Sequence, residues 1–234
     1  CGGIDNAFPH HTNEIAQSES YLGHKWCNYW FHVRHLNSDS GKMSKSKGEF
    51  LTVSLLEQKG YDPMAYRLFC LQSHYRRNLV FSWENLDNAA AAYEKLIAKI
   101  AALKNEGEIE PMMFANLKQR FAKALEGDLN TSVAVTAVYD VLKAKTTDAT
   151  KLALIADFDK VLCLNLLSAA ENLRKKQAEE EAANADPEID ALVAERTAAK
   201  KARNFAEADR IRDLLKERGI EIIDTPQGAK WRKV

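Results

Sequence analysis

The chain has 234 residues, 46% of them apolar and 28% charged, which suits a globular protein with one large domain or two to three small ones. Its 33 basic and 33 acidic residues cancel, which excludes a histone-like general nucleic-acid binder while leaving room for local basic patches. No stretch approaches the roughly 18 apolar residues of a membrane span, and no secretory signal opens the chain.

Cys1, Cys27, Cys70 and Cys163 are far apart and show no CxxC spacing, so a disulfide framework is not expected. Free thiols in a reducing cytoplasm are the better reading, with Cys27, Cys70 and Cys163 as small buried residues.

The opening "CGGIDNAFPHH" reads as the middle of a domain, and the chain is expected to be a piece of a longer protein. Gly2 and Gly3 suggest a strand end, and Pro9 suits the first turn of a helix that Gly23 stops. "CNYWFHVRHL" alternates bulky and polar residues as a strand does. A polar loop, 38–50, follows. Two short helices flank "GYDP"; Thr52 caps the first, and Asp62 with Pro63 starts the second.

"NLVF" then reads as a strand before a long Ala-rich helix. From about 86 to 175, apolar residues recur at helical spacing, as in "FANLKQRFAKAL" and "VAVTAVYDVLKA", which predicts a bundle interrupted at "GDLNTS". The charged stretch 173–188 reads as a linker or a frayed helix end. The last 48 residues predict a separate unit of two helices and two strands, the first helix ending near Asn204. The expected fold class is mainly α with minor β.

Three groups of residues carry candidate chemistry. In "GKMSKSKGEF", Lys42 and Lys45 are point charges suited to phosphate oxygens, on a Ser/Gly loop able to close over them. His10 and Glu14, four apart, share a face if helical; they are either half of a zinc site or an ordinary i,i+4 pair. In "AKKARNFAEADRIRD", Lys200, Lys201 and Arg203 precede the aromatic Phe205, with Asp209 and Arg212 following. Such groups can stack on and read unstacked bases, or they can be the surface charges and small core of a helical hairpin. Arg76 and Arg77 read as a solvated turn.

The string Lys42-Met43-Ser44-Lys45-Ser46 matches, letter for letter, the KMSKS signature of class I aminoacyl-tRNA synthetases. "GGID", "FPHH" and "NEIAQSE" resemble the cysteinyl-tRNA synthetase subgroup, as do "GDLNTSVAV" and the terminal "IEIIDTPQGAKWRK". The resemblance covers essentially the whole chain but only the back half of that family's architecture; the HIGH signature is not in this sequence.

That resemblance implies the end of a Rossmann-like nucleotide-binding catalytic domain (1–37), the lysine loop and a connecting segment (38–85), an antiparallel tRNA-binding helical bundle (86–175) and a small α+β anticodon domain (187–234). It implies that Lys45 contacts ATP, with Lys42, Ser44 and Ser46 supporting, and that the pyrophosphate leaving group is stabilised there. It gives His10 and Glu14 to a zinc ion whose other two ligands are cysteines from the missing half, and it leaves His11 a supporting or packing role. Zinc in this family selects the cysteine thiolate over serine.

In the C-terminal unit the resemblance makes Asp209, Arg212 and Asp224 base-edge candidates and Phe205 a stacking candidate, and it lets Trp231 and Arg232 either contact the anticodon or close the small sheet. It places Arg76 and Arg77 near the inside of the tRNA's L shape. Thr12 stands where an acidic residue is frequent in the family, and Phe205 where Trp is frequent. The implied partners are cysteine tRNA, ATP with magnesium, and cysteine, for a monomer in the cytoplasm that is catalytically incomplete on its own. The rival readings are a fragment of a related ligase joining cysteine to an amino sugar, which has no need of the 187–234 unit, and a non-catalytic RNA-binding module, which has no need of Lys45.

Overall fold

The computed structural model describes residues 1–38, 41–42, 52–183, 186–202, 204–225 and 228–233. The chain divides into two units, Cys1–Glu171 and Asn172–Val234. Among the described residues it is mainly helical with small sheets, and no helix is long and apolar enough to cross a membrane.

The first unit opens with β1 (Gly2–Gly3) and β2 (His32–Val33), paired in parallel with Gly2 opposite His32. The strand expected over 27–36 is therefore only two residues long at this point. Between β1 and β2 lie a tight turn, Ile4–Asn6, a wider helical turn, Ala7–His11, and α1 (Thr12–Leu22). Pro9 lies in the Ala7–His11 helical turn that runs directly into α1, so the helical stretch before Gly23 opens with a wider turn. Pro9 follows a cis peptide bond from Phe8, whose backbone is extended, and α1 begins at Thr12. Gly23 closes α1 with φ +73°, a left-handed conformation that needs no Cβ, and its N–H donates to Glu19 O.

A three-stranded sheet follows, in the order β4–β3–β5. β3 (Leu36–Ser38) pairs antiparallel with β4 (Gly41–Lys42) and parallel with β5 (Leu79–Phe81). Two helices connect β4 to β5. α2 (Val53–Gln58) starts where the Leu55 N–H donates to the Thr52 hydroxyl; α3 (Pro63–Leu71) starts where the Met64 N–H donates to the Asp62 carboxylate, with Pro63 at the first helical position. Leu56, Phe69, Phe81, Leu86 and Ala89 form the core beneath this sheet, with Leu36 and Leu79 packed against it.

The helices α4 (Trp83–Ala101), α5 (Pro111–Glu126), α6 (Thr131–Lys143) and α7 (Asp148–Leu162) form the bundle. Each buries one apolar stripe: Leu86, Tyr93, Leu96 and Ile100 on α4; Leu117, Phe121 and Ala124 on α5; Ala134, Val138 and Val141 on α6; Leu154, Phe158 and Leu162 on α7. Full burial of a Leu or Phe side chain contributes about 1.5–3 kcal/mol. Phe121 and Phe158 stack with centroids 4.1 Å apart and planes 7° from parallel, joining α5 to α7.

α7 ends in two left-handed residues, Cys163 (φ 50°) and Asn165 (φ 56°). The Asp159 carboxylate accepts the N–H groups of Leu164 and Leu166 at 2.7 and 2.8 Å, which starts α8 (Leu166–Ala183). Cys163 is exposed, and Cys27 and Cys70 are half-buried, so the expectation of three buried cysteines is corrected. The turn after α7 carries Cys163 outward while the core is filled by its neighbours, Leu162 and Leu164.

The second unit contains α9 (Pro187–Lys201), α10 (Phe205–Glu217) and the antiparallel hairpin β6 (Ile220–Thr225) and β7 (Gly228–Lys233). Asp186 and Asn204 cap the two helices, accepting from the N–H groups of Glu188 and Glu207. Ile189, Val193, Ile211, Leu215 and Ile220 form its core, with Ile222, Ala229 and Trp231 packed against them.

Candidate functional site

The lysine segment is built onto the edge of the three-stranded sheet. The backbone of Lys42 lies in β4, opposite Asn37 of β3. Because β3 is held on its other side by β5 and its Leu36 packs on a buried core, the start of the segment has a fixed base. Ser44, Lys45 and Ser46 lie outside the described residues, as does Arg203.

Around β3, a cavity of about 350 Å³ is bounded by Phe31, Leu36, Tyr66, Leu79, Arg34 and Arg77, among others. Burial pushes the Tyr66 hydroxyl up to about 12. It also raises the Cys70 thiol, against the lowering effects of Tyr66 and Arg67. Both groups are neutral at physiological pH, so neither is an activated nucleophile.

His10 and Glu14 are both exposed. His10 lies in the Ala7–His11 helical turn and Glu14 in the first turn of α1, which follows directly at Thr12. Among the described residues neither side chain makes a hydrogen bond or an ion pair, and no group of three or more His, Cys, Asp or Glu could hold a metal. One imidazole and one carboxylate with open lone pairs are two of the four donors that a closed zinc site uses, so the pair fits as half of a donor set.

His11 packs instead. Its ring lies 4.7 Å from Trp30, and its Nδ1 is 2.8 Å from His32 Nε2. Desolvation, followed by the His32 charge, lowers its pKa.

On α10, Phe205, Asp209 and Arg212 stand at i, i+4 and i+7, along one face. Phe205 is 62% exposed, so it is a surface aromatic and not the core of a hairpin. The Arg212 guanidinium pairs with Asp209 at 3.0 Å and with Asp213 at 3.3 Å. Trp231 stands apart from that face: it packs against the core of the unit, and its indole N–H donates to the Asp190 carboxylate at 2.7 Å. Asp224 lies in β6 opposite Ala229, and Arg232 lies in β7 opposite Glu221.

The turn after α3 holds a cluster that the sequence did not reveal. Asp128 accepts hydrogen bonds from Tyr75 and Arg76 and lies 3.9 Å from His74 Nε2. Arg76 is therefore ion-paired and is not simply a solvated turn residue. These bonds, Arg76 first and Tyr75 next, depress the Asp128 pKa to about 2, and the same contact raises that of Tyr75. "GDLNTS" shows only as a helix break in the sequence; its partner lies more than 50 residues away.

Two family models match the chain. Residues 1–91 match "tRNA synthetases class I (C) catalytic domain", and residues 182–232 match "Cysteinyl-tRNA ligase anticodon binding domain". Curated proteins named Cysteine–tRNA ligase match over its whole length. The one from Brevibacillus brevis is 38% identical over 100% of this chain and 52% of its own length; those from Novosphingobium aromaticivorans and Halorhodospira halophila are each 40% identical over 99% of this chain and 50% of theirs.

The chain belongs to the cysteine–tRNA ligase family. It spans about half the length of the curated relatives that it matches. The family's catalytic-domain match contains the lysine segment with His10 and Glu14, and its anticodon-domain match contains Phe205, Asp209, Arg212, Asp224 and Trp231.

Proposed function

We propose that this chain takes part in the ATP-dependent attachment of cysteine to cysteine tRNA, supplying the lysine clamp of the activation step and the unit that reads the anticodon. Adenylation of cysteine places new negative charge on the pyrophosphate that leaves. Lys45, with Lys42 supporting and Ser44 and Ser46 donating hydrogen bonds, stabilises that charge. Magnesium accompanies ATP.

His10 and Glu14 would supply an imidazole nitrogen and a carboxylate oxygen to zinc. That metal's affinity for thiolate would distinguish cysteine from serine. Residues 1–37 belong in this reading to a Rossmann-like nucleotide-binding domain, and 86–175 to a tRNA-binding bundle. The setting is the cytoplasm, and the enzyme is a monomer.

The observation that carries the reading is the α10 face. Phe205 offers an uncovered ring beside Asp209 and Arg212, which together hold one donor fork and one acceptor. That combination suits an unstacked base, stacked on the ring and read at its edge. Trp231, tied to Asp190, closes the hairpin and holds α9 against β7. Phe205→Ala tests the reading in a binding titration with cysteine tRNA. The expected loss is about 1–3 kcal/mol, the contribution of one stacked base. Undiminished affinity in a folded variant rejects Phe205 as a platform.

A further inference from the structure

We propose that the groove between α5 and α6 is a second RNA-binding surface that grips phosphodiester oxygens without reading sequence. The inference rests on the tRNA reading above and adds to it where, on the bundle, the backbone is held. The groove measures about 310 Å³. Arg120 and Asn116 line it from α5, and Lys143 and Lys145 from the end of α6 and the residues that follow.

Helix geometry explains the convergence. Asn116, Leu117 and Arg120 fall at i, i+1 and i+4, on one side of α5. Leu117 is buried and anchors that side to the bundle, so Arg120 emerges at the rim.

What marks this groove is that its cations converge. Formal charge over the chain is zero, yet here three cations meet one carboxylate, Asp140. Among the described residues, Arg120, Lys143 and Lys145 take part in no ion pair or side-chain hydrogen bond. Two neighbouring cations of the bundle are already paired, Lys118 with Asp157 at 2.8 Å and Lys151 with Asp148 at 3.6 Å. Exposed, unpaired cations keep their counterions until a polyanion displaces them, and that release drives backbone binding.

The groove is open and runs between two helices, so it suits an extended polyanion better than a single enclosed phosphate. Asn116 adds an uncharged amide donor. Arg120 and Asp128 are eight residues apart, roughly 12 Å along the hairpin at a helical rise of about 1.5 Å per residue. The groove therefore lies at the other end of the α5–α6 hairpin from the Arg76 turn.

The test is the salt dependence of binding for the full chain, with cysteine tRNA and with an unrelated RNA hairpin as probes. The triple variant Arg120→Gln, Lys143→Gln, Lys145→Gln should make the slope of log K against log salt shallower by about 2–3 for both RNAs, at about 0.9 per phosphate contact. Asp140→Asn should tighten both. Lys118→Gln, which removes a charge already paired, should leave the slope unchanged.

An unaltered slope in the folded triple variant overturns the groove while leaving anticodon preference, and thus the tRNA reading, intact. A shallower slope with no preference for the cysteine anticodon overturns the reading and keeps the groove. Failure of the unmodified chain to bind either RNA overturns both.

Discussion

Asp128 accepts hydrogen bonds from both Tyr75 and Arg76 and so fastens the turn after α3 to the turn before α6. This tie joins the segment that follows the lysine loop to the helical bundle, within one unit. Tyr75 in turn packs on Phe31, with ring centroids 4.3 Å apart, which carries the connection towards β2. The contact consists of exposed groups, so its strength depends on geometry and on the charge of one carboxylate.

The pH dependence follows from the depressed pKa of Asp128. The carboxylate titrates at about 2 in the folded chain and at about 3.9 when unfolded. Its contribution is therefore fully present above the unfolded value and is lost as pH falls from about 4 to about 2. Asp128→Asn should be less stable than the unmodified chain at neutral pH and should lose less stability over that acid range. Thermal unfolding at a series of pH values checks this; parallel acid limbs contradict it.

Thr150 is fully buried and carries a chain of hydroxyl contacts at the start of α7. Its oxygen accepts from the Glu110 N–H at 2.9 Å and lies 2.7 Å from the Thr147 hydroxyl, which donates to Glu108 O. Thr150→Val keeps the shape and leaves the Glu110 N–H without this partner. The expected destabilisation is about 1–3 kcal/mol, read from the denaturant midpoint. A change within about 0.5 kcal/mol would mean that the contact contributes little.

The role proposed for Lys45 rests on the motif and its chemistry. In a ligase containing this chain, Lys45→Ala should slow cysteine-dependent ATP–pyrophosphate exchange by about 100–1000-fold, the scale for losing one preorganised charge-stabilising group. The KM for cysteine should change little, because the loss falls on the transition state. An unchanged exchange rate contradicts the clamp.

What was legible in the sequence was local. Thr52, Asp62 with Pro63, and Gly23 act within one helical turn of themselves, so their cap roles can be read from a few letters. The apolar stripes of α4 to α7 follow a fixed period and are legible for the same reason. Phe205 is open to two readings in the sequence, and its exposure removes the one that makes it the core of a hairpin. Contacts made across long stretches of chain were not legible. Arg76 looked like a solvated residue because Asp128 lies 52 positions on, and Trp231 was ambiguous because Asp190 lies 41 positions back. Arg120 and Lys143 are ordinary helix-surface letters until α5 and α6 lie side by side. His10 lies in the wider helical turn that runs directly into α1, a change of helix type that four-residue spacing does not disclose.

The most direct test of the tRNA assignment compares binding of this chain to cysteine tRNA and to the same tRNA with its anticodon replaced, at one fixed, moderate salt concentration. Salt is held constant because phosphate contacts alone change affinity steeply with it. The account predicts clear preference for the native anticodon, about 5- to 150-fold for a lost base contact of about 1–3 kcal/mol. Equal affinity for the two tRNAs would contradict it.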